Sequence, residues 1–378
     1  MRPLASVSAA RRRRRSPWRP WRRFWPSATG CSTGSAGMTF RPLARVLLPV
    51  LLPLVLAGCW SGGENDARAE AYVDALAGAF GVAPEPSRIP TVEPLPRPRE
   101  RRLELPELDM GLVDFLSLYG CELQVVVGER TSVLGRVAHP GTRMEYHLRF
   151  LAAVDACLPK IDSDSRTEAL KKARDARVES LPLALWNGAW GSDEMAELVS
   201  RSGGRVPEPV PEQALDRLIE GLSGTASMLA SVEPGRVPEG LPAMTERYRQ
   251  WRSEPRFGQL LRSAEALQAR LGDSAGILER ALASVDGCPM ETGAVAFYRE
   301  HYLEGLAPRV QRVRHYGRRM ARALEALVEA TGASPPGAMT PFIERNLRTR
   351  LSGSVWHDLD RAVERHARAW NRLLARCD

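Results

Sequence analysis

Signatures of phosphate and metal chemistry are missing from these 378 residues. There is no H-E-x-x-H pair, S-x-x-K, C-x-x-C, phosphate loop or dinucleotide glycine fingerprint, so enzymes built on those motifs are disfavoured. Lysine is scarce: Lys160, Lys171 and Lys172 stand among 53 basic residues, and the rest are arginine. Strand signals are scarcer still. The single β-branched run, "LQVVVG" (123–128), has helical flanks. No apolar run reaches the roughly 20 residues that a membrane-spanning helix needs. Acidic residues are absent from the first 58 positions, which hold 11 of the 53 basic residues and none of the 45 acidic ones.

That imbalance frames what is present. "VLLPVLLPLVLAGCWSGG" (46–63) is a short apolar run, interrupted by Pro49 and Pro53, that ends in Leu56-Ala57-Gly58-Cys59. Arg41 and Arg45 precede it. A cationic start, an apolar stretch and small residues at a cleavage point make a secretory signal when read from Met38. The four residues ending at Cys59 resemble a lipobox, which implies that 38–58 is a lipoprotein signal peptide and that Cys59 becomes the lipidated first residue. Trp60 in place of an aspartate favours the outer membrane. Residues 1–37, with their RRRRR tract, are expected to precede the true start at Met38 or to be disordered. A basic arm for nucleic acid and a twin-arginine signal are the lesser alternatives. Without the signal, residues 59–378 carry 42 basic against 45 acidic residues, a net of −3. Nucleic acid is therefore not an expected partner.

Four cysteines remain after Cys59: Cys121, Cys157, Cys288 and Cys377. An even count in an exported chain points to disulfides. Of the three pairings, Cys121–Cys157 and Cys288–Cys377 are expected, because each joins segments that neighbouring antiparallel helices bring together. No histidine partner or C-x-x-C spacing supports zinc, and neither a metal nor a cofactor is expected.

The pattern after Cys59 is helical throughout, so the expected fold is an all-α multi-helix bundle of antiparallel amphipathic helices. Residues 59–100 read as a lipidated tether, a short helix to about Phe80 capped by Asn65, and a proline-rich extended linker with six prolines from Pro84 to Pro98. Helices are expected over 110–127, 144–158, 163–180 and 192–202, with a loop at 128–142. "GGRVPEPVP" (203–211) is the best internal break, and the chain is long enough either for one large core or for a helical subdomain at 101–204 and a bundle at 205–378. Beyond it come an amphipathic helix around Leu215–Leu229, a long one over 257–285, and another over 289–330 bending near Pro308. The last helix places Trp356, Leu359, Val363, His366, Trp370 and Leu373 at alternating steps of three and four, an a/d seam.

"LYGCELQVVVGERTSVLGRV" (118–137) carries a further signal. Cys121-Glu122-Leu123, Arg130-Thr131-Ser132-Val133-Leu134-Gly135-Arg136, Glu145-Tyr146 and Cys157 resemble, in order, the motifs of a Gram-negative lipoprotein family known as domain of unknown function 3080. "LALWNGAWGSDEMAELVSRSGG" (183–204) is also similar to that family. Thr131 departs from the family's asparagine. The resemblance implies an envelope location and no particular activity.

Three groups of candidate site residues follow. The first is the 128–147 region, with Glu129, Arg130, Ser132, Arg136, His139, Arg143, Glu145, Tyr146 and His147. Here the two arginines can clamp an anion and Glu129 can act as base, or the group simply pairs with nearby helix ends. The second is His357, Asp360 and Glu364 on one helix face, spaced as metal ligands can be, although Arg361 among them repels a cation. The third is an arginine-rich face including Arg309, Arg312, Arg314, Arg318, Arg319 and Arg322, suited to anionic lipid or to solvent. Trp186, Trp190, Trp251, Trp356 and Trp370 fit core packing better than sugar stacking. The expected role is binding or scaffolding in the cell envelope. The partners would be a bilayer through acylated Cys59 and an envelope protein or cell-wall component. The alternative is an envelope enzyme using the Glu129/Arg130 loop.

Overall fold

The computed structural model describes residues 67–106, 120–253, 255–290 and 293–377. The signal segment, Cys59, the Asn65 cap and residues 110–119 of the expected 110–127 helix lie outside the described residues. Within them the chain is all-α, with no strand among the described residues.

Helix α1 (Ala67–Phe80) buries Tyr72, Val73 and Leu76 on one face, as their spacing requires. It lies against α9 (Arg256–Ser284), a rod of 29 residues and about 44 Å at 1.5 Å per residue. Helix α9 runs unbroken through Gly272 and is enclosed by α1, α10 (Ala307–Ala330) and α11 (Val355–Cys377). Helix α7 (Glu212–Ala230) packs along α10. One apolar core takes in residues from Ala69 to Leu373, on both sides of the 203–211 stretch. The five tryptophans at positions 186, 190, 251, 356 and 370 are its largest members, each under 2 % exposed. Gly258 marks the closest approach in the core: a Cβ there would stand 1.9 Å from the Ser200 carbonyl oxygen.

The proline-rich segment runs extended over the bundle. Polyproline geometry leaves backbone carbonyls without internal partners, and here the bundle's side chains supply donors. Arg270 donates to the Ser87 carbonyl at 2.7 Å, Arg201 to that of Val92 at 3.0 Å, and Asn346 to that of Glu93 at 2.9 Å. Ser87 in turn donates through both its amide and its hydroxyl to Asp273. At the end of the segment Arg101, 1 % exposed, reaches the carbonyls of Pro96, Trp190 and Ser192. The linker is a strap pinned from several helices.

A smaller apolar cluster joins α2 (Glu122–Thr131), α3 (Pro140–Cys157) and α4 (Asp164–Glu179) through Leu123, Val126, Phe150, Val154 and Leu170. Cys121–Cys157 closes it. Cys288–Cys377 ties the end of α11 to the loop after α9. Both bonds match the expected pairing.

Several expectations need correction. Residues 128–142 are not a loop: α2 continues to Thr131, Val133–Arg136 forms a helical turn, and α3 begins at Pro140. Glycine, proline and charge suggested breakage there, but Ser132 and His139 cap the elements on either side. Two helices go beyond the expected set, α5 (Leu181–Trp190), buried on nearly all sides, and the highly charged α8 (Met244–Ser253). Between them α6 is short, Asp193–Leu198. The bend near Pro308 takes the form of a π-helix over Tyr298–Leu306 that runs into α10. Pro308 has no N–H to return to the preceding turn and crowds its carbonyls, and wider winding relieves both.

Candidate functional site

The first candidate group does not converge. Glu129 is held by Arg149 of α3 at 2.7 Å. Arg130 donates to the Gly135 carbonyl, Arg136 to that of Thr131, and Arg143 to that of Arg136. Ser132 caps the turn by accepting from the Gly135 amide at 3.0 Å and donating to the Glu129 carbonyl at 2.7 Å. Thr131, where the resembled family has asparagine, donates back to the Val127 carbonyl at 2.8 Å. His147 is buried, with Nε2 2.7 Å from the Arg177 carbonyl, and burial lowers its pKa to about 4. Tyr146 is half-buried on α3.

The other two groups are occupied as well. Asp360 receives both Arg314 and Arg318, so His357, Asp360 and Glu364 do not form a ligand set. The α10 arginines are largely paired with α7 and the segment before it: Arg309 meets Glu208, Arg312 meets Glu212 and Arg319 meets Asp216. His366 is a core histidine, as its place on the seam implied.

What the fold does build is a cleft of about 570 Å³ between α3 and α8. Thr142, Glu145 and Arg149 of α3 face Thr245, Tyr248 and Arg252 of α8, each set at i, i+3 and i+7, one face of a helix. Glu194 of α6 lies at the floor. Ser192 caps α6, accepting from the Met195 amide, so Glu194 sits in a first turn where the helix dipole favours an anion. Its Oε2 is 2.7 Å from His139 Nε2, and its Oε1 accepts from Arg252 at 2.6 Å. His139 Nδ1 accepts from the Gly141 amide as the α3 cap, which places the ring proton on Nε2, donating to Glu194. Burial pushes the Glu194 carboxyl up, but the hydrogen bond from His139, a backbone amide and the charge of Arg252 outweigh it and hold it below the usual range. Tyr248 packs edge-on against His139 and donates to the Gly188 carbonyl at 2.8 Å. Burial and the Glu194 charge push its phenol well up.

Nearly every ionisable group in this cleft is therefore held by another. Glu145 is different: it lines the cleft with no partner among the described residues. With the Thr142 and Thr245 hydroxyls and the outward arginines, the cleft offers recognition groups but no poised acid–base pair. Glu194→Gln removes the charge that both His139 and Arg252 meet. It is expected to cost about 2 kcal/mol, the weight of hydrogen bonds to a buried charged group, read as a lower urea midpoint.

Sequence reasoning named His139 and Glu145 but missed Glu194, Tyr248 and Arg252. Glu194 lies 55 residues from His139 and 58 from Arg252, so no local spacing links them. The one legible hint was the Ser192-Asp193-Glu194 helix start.

No curated protein and no solved structure matches this chain. The family described as "Protein of unknown function (DUF3080)" matches over residues 69–378, nearly the whole of the strap and helical bundle. The chain belongs to that family.

Proposed function

We propose that this chain is an exported lipoprotein, acylated at Cys59 and facing the periplasm from the outer membrane, that works by binding an envelope protein or cell-wall component in the α3/α8 cleft. The cleft carries the binding reading: a cavity whose charged groups are paired with one another or with neighbouring side chains, except at Glu145. Export draws support from the two disulfides, since such bonds persist in oxidising compartments. The signal-like run before Cys59 supplies the route and the anchor. An envelope enzyme using Glu129 and Arg130 is the weaker reading, because Arg149 occupies Glu129 and Arg130 bonds its own turn.

The test is a photocrosslinking amino acid at Thr245, introduced in living cells. A discrete crosslinked species that disappears in a Glu145→Arg background is the expected result. Crosslinking no stronger than from an exposed site on α11, or unaffected by Glu145→Arg, contradicts the assignment of the cleft.

A further inference from the structure

The turn after α2 shows an unusual combination of groups. Val133, Leu134 and Val137 are 74 %, 80 % and 76 % exposed, more than any other large apolar side chains described. Their backbone is tightly built. Ser132 caps the turn, and at Gly135 a Cβ would stand 2.1 Å from the Glu129 carbonyl oxygen, so only glycine fits. The turn thus holds three aliphatic side chains outward on a convex knob.

Arg130, Arg136 and Arg143 surround them, and none of the three meets a carboxylate among the described residues; each bonds a backbone carbonyl of the turn. The nearest acid, Glu129, is taken by Arg149. Burial, together with the charges of Arg130 and Arg102, holds the Arg143 guanidinium below its ordinary value, as expected where positive charge is uncompensated. The contrast with α10 is direct: there arginines pair with carboxylates, and no comparable apolar group stands among them.

We infer that this knob is a membrane-contact site: Val133, Leu134 and Val137 enter the interface of a bilayer bearing anionic phospholipid headgroups, and Arg130, Arg136 and Arg143 pair with the phosphates. Exposed aliphatics ringed by cations match the two layers of such a surface, acyl chains below and anionic headgroups above. A convex knob suits a deformable surface better than a preformed protein pocket, and guanidinium forks match phosphate oxygens. Val137 lies two residues before His139, so a knob in the headgroups holds the mouth of the cleft close to the same surface. The inference goes beyond the anchor, because it requires no acyl chain.

The experiment uses the full chain with Cys59→Ser, which removes acylation, and hydrogen exchange of peptides covering residues 128–143. Vesicles are phosphatidylcholine alone, or phosphatidylcholine with about a third phosphatidylglycerol. The local reading matters because the apolar run at 46–56 can itself insert. Anionic vesicles should slow exchange in these peptides and neutral vesicles should not. Protection should fall about fivefold in Arg136→Gln, the weight of one arginine beside an anionic surface. It should vanish in Leu134→Asp, whose exposed position leaves folding intact. Equal protection on both vesicle types, or protection that survives Leu134→Asp, overturns the proposal. Protection that rises with protein concentration without vesicles also overturns it, and assigns the knob to a second copy of the chain.

Discussion

Replacing Cys377 by serine is expected to lower the unfolding free energy by about 4 kcal/mol and the melting temperature by on the order of 10 °C. Cys288 and Cys377 are 89 residues apart, so the bond closes a loop that holds the π segment, α10 and α11. In the chain-entropy account the benefit grows with the logarithm of loop length, and this loop is the longer of the two. The bond also fixes an end that would otherwise fray. Arg376 donates to the Leu282 carbonyl at 2.7 Å, and Arg365 meets Glu279 at 2.6 Å, both on α9. Without the bond those two contacts and the buried Leu373 remain to keep the last turns of α11 on the rod. Chemical unfolding of the parent and of Cys377→Ser measures the difference. An unchanged midpoint would mean that the bond is absent from the folded protein.

Mild acid has a comparable effect, and two buried histidines cause it. His366 is fully buried, and burial lowers its pKa to about 3, while His147 is lowered to about 4. Trp370 donates its indole N–H to the Tyr72 oxygen at 2.8 Å, so the Tyr72 hydroxyl proton is free to point at His366 Nε2, 2.7 Å away. The acceptor role and the apolar surroundings both require a neutral ring. Tyr302 packs over it from the π segment, and no acid of the neighbouring helices bonds it. In the unfolded chain these groups titrate near 6.5, so below that pH the unfolded state takes up protons that the native state refuses. Their contribution is complete above about pH 6.5 and is lost progressively towards pH 4 and 3. Between pH 7 and pH 5 each histidine gives up about 2 kcal/mol, about 4 together. Urea midpoints at those two pH values should show this loss in the parent and about half of it in His366→Gln. Identical pH dependence in parent and variant would contradict the buried neutral assignment.

Strict periodicity was the most legible feature of the sequence. The alternating steps of three and four in α11, and the apolar rows of α7 and α9, report burial directly, because one helical face alone meets the core. The cysteine pairing was also readable, since antiparallel neighbours bring chain-distant residues together. Breaker residues misled at 128–142. Gly135 is there because the turn packs its backbone against Glu129, and Pro140 opens α3 rather than interrupting it. The path of the proline strap could not be read, because long-range donors from Arg101, Arg201, Arg270 and Asn346 hold it. The cleft was hidden for the same reason: it depends on three helices whose contributions are each unremarkable in isolation. α8 shows the difficulty: "MTERYRQWRS" is dominated by charge, and although Trp251 was expected in the core, nothing in the stretch marks Tyr248 as lining a cleft.

The reading of this chain as an exported, membrane-fastened binding protein rests most heavily on Cys59. Intact and peptide mass spectrometry of the protein purified from detergent-extracted envelopes tests it directly. The account predicts an amino-terminal peptide that begins at Cys59, with a diacylglycerol on the sulfur and a blocked amine. A peptide running unbroken from Arg45 through an unmodified Cys59, from protein recovered without detergent, would contradict it.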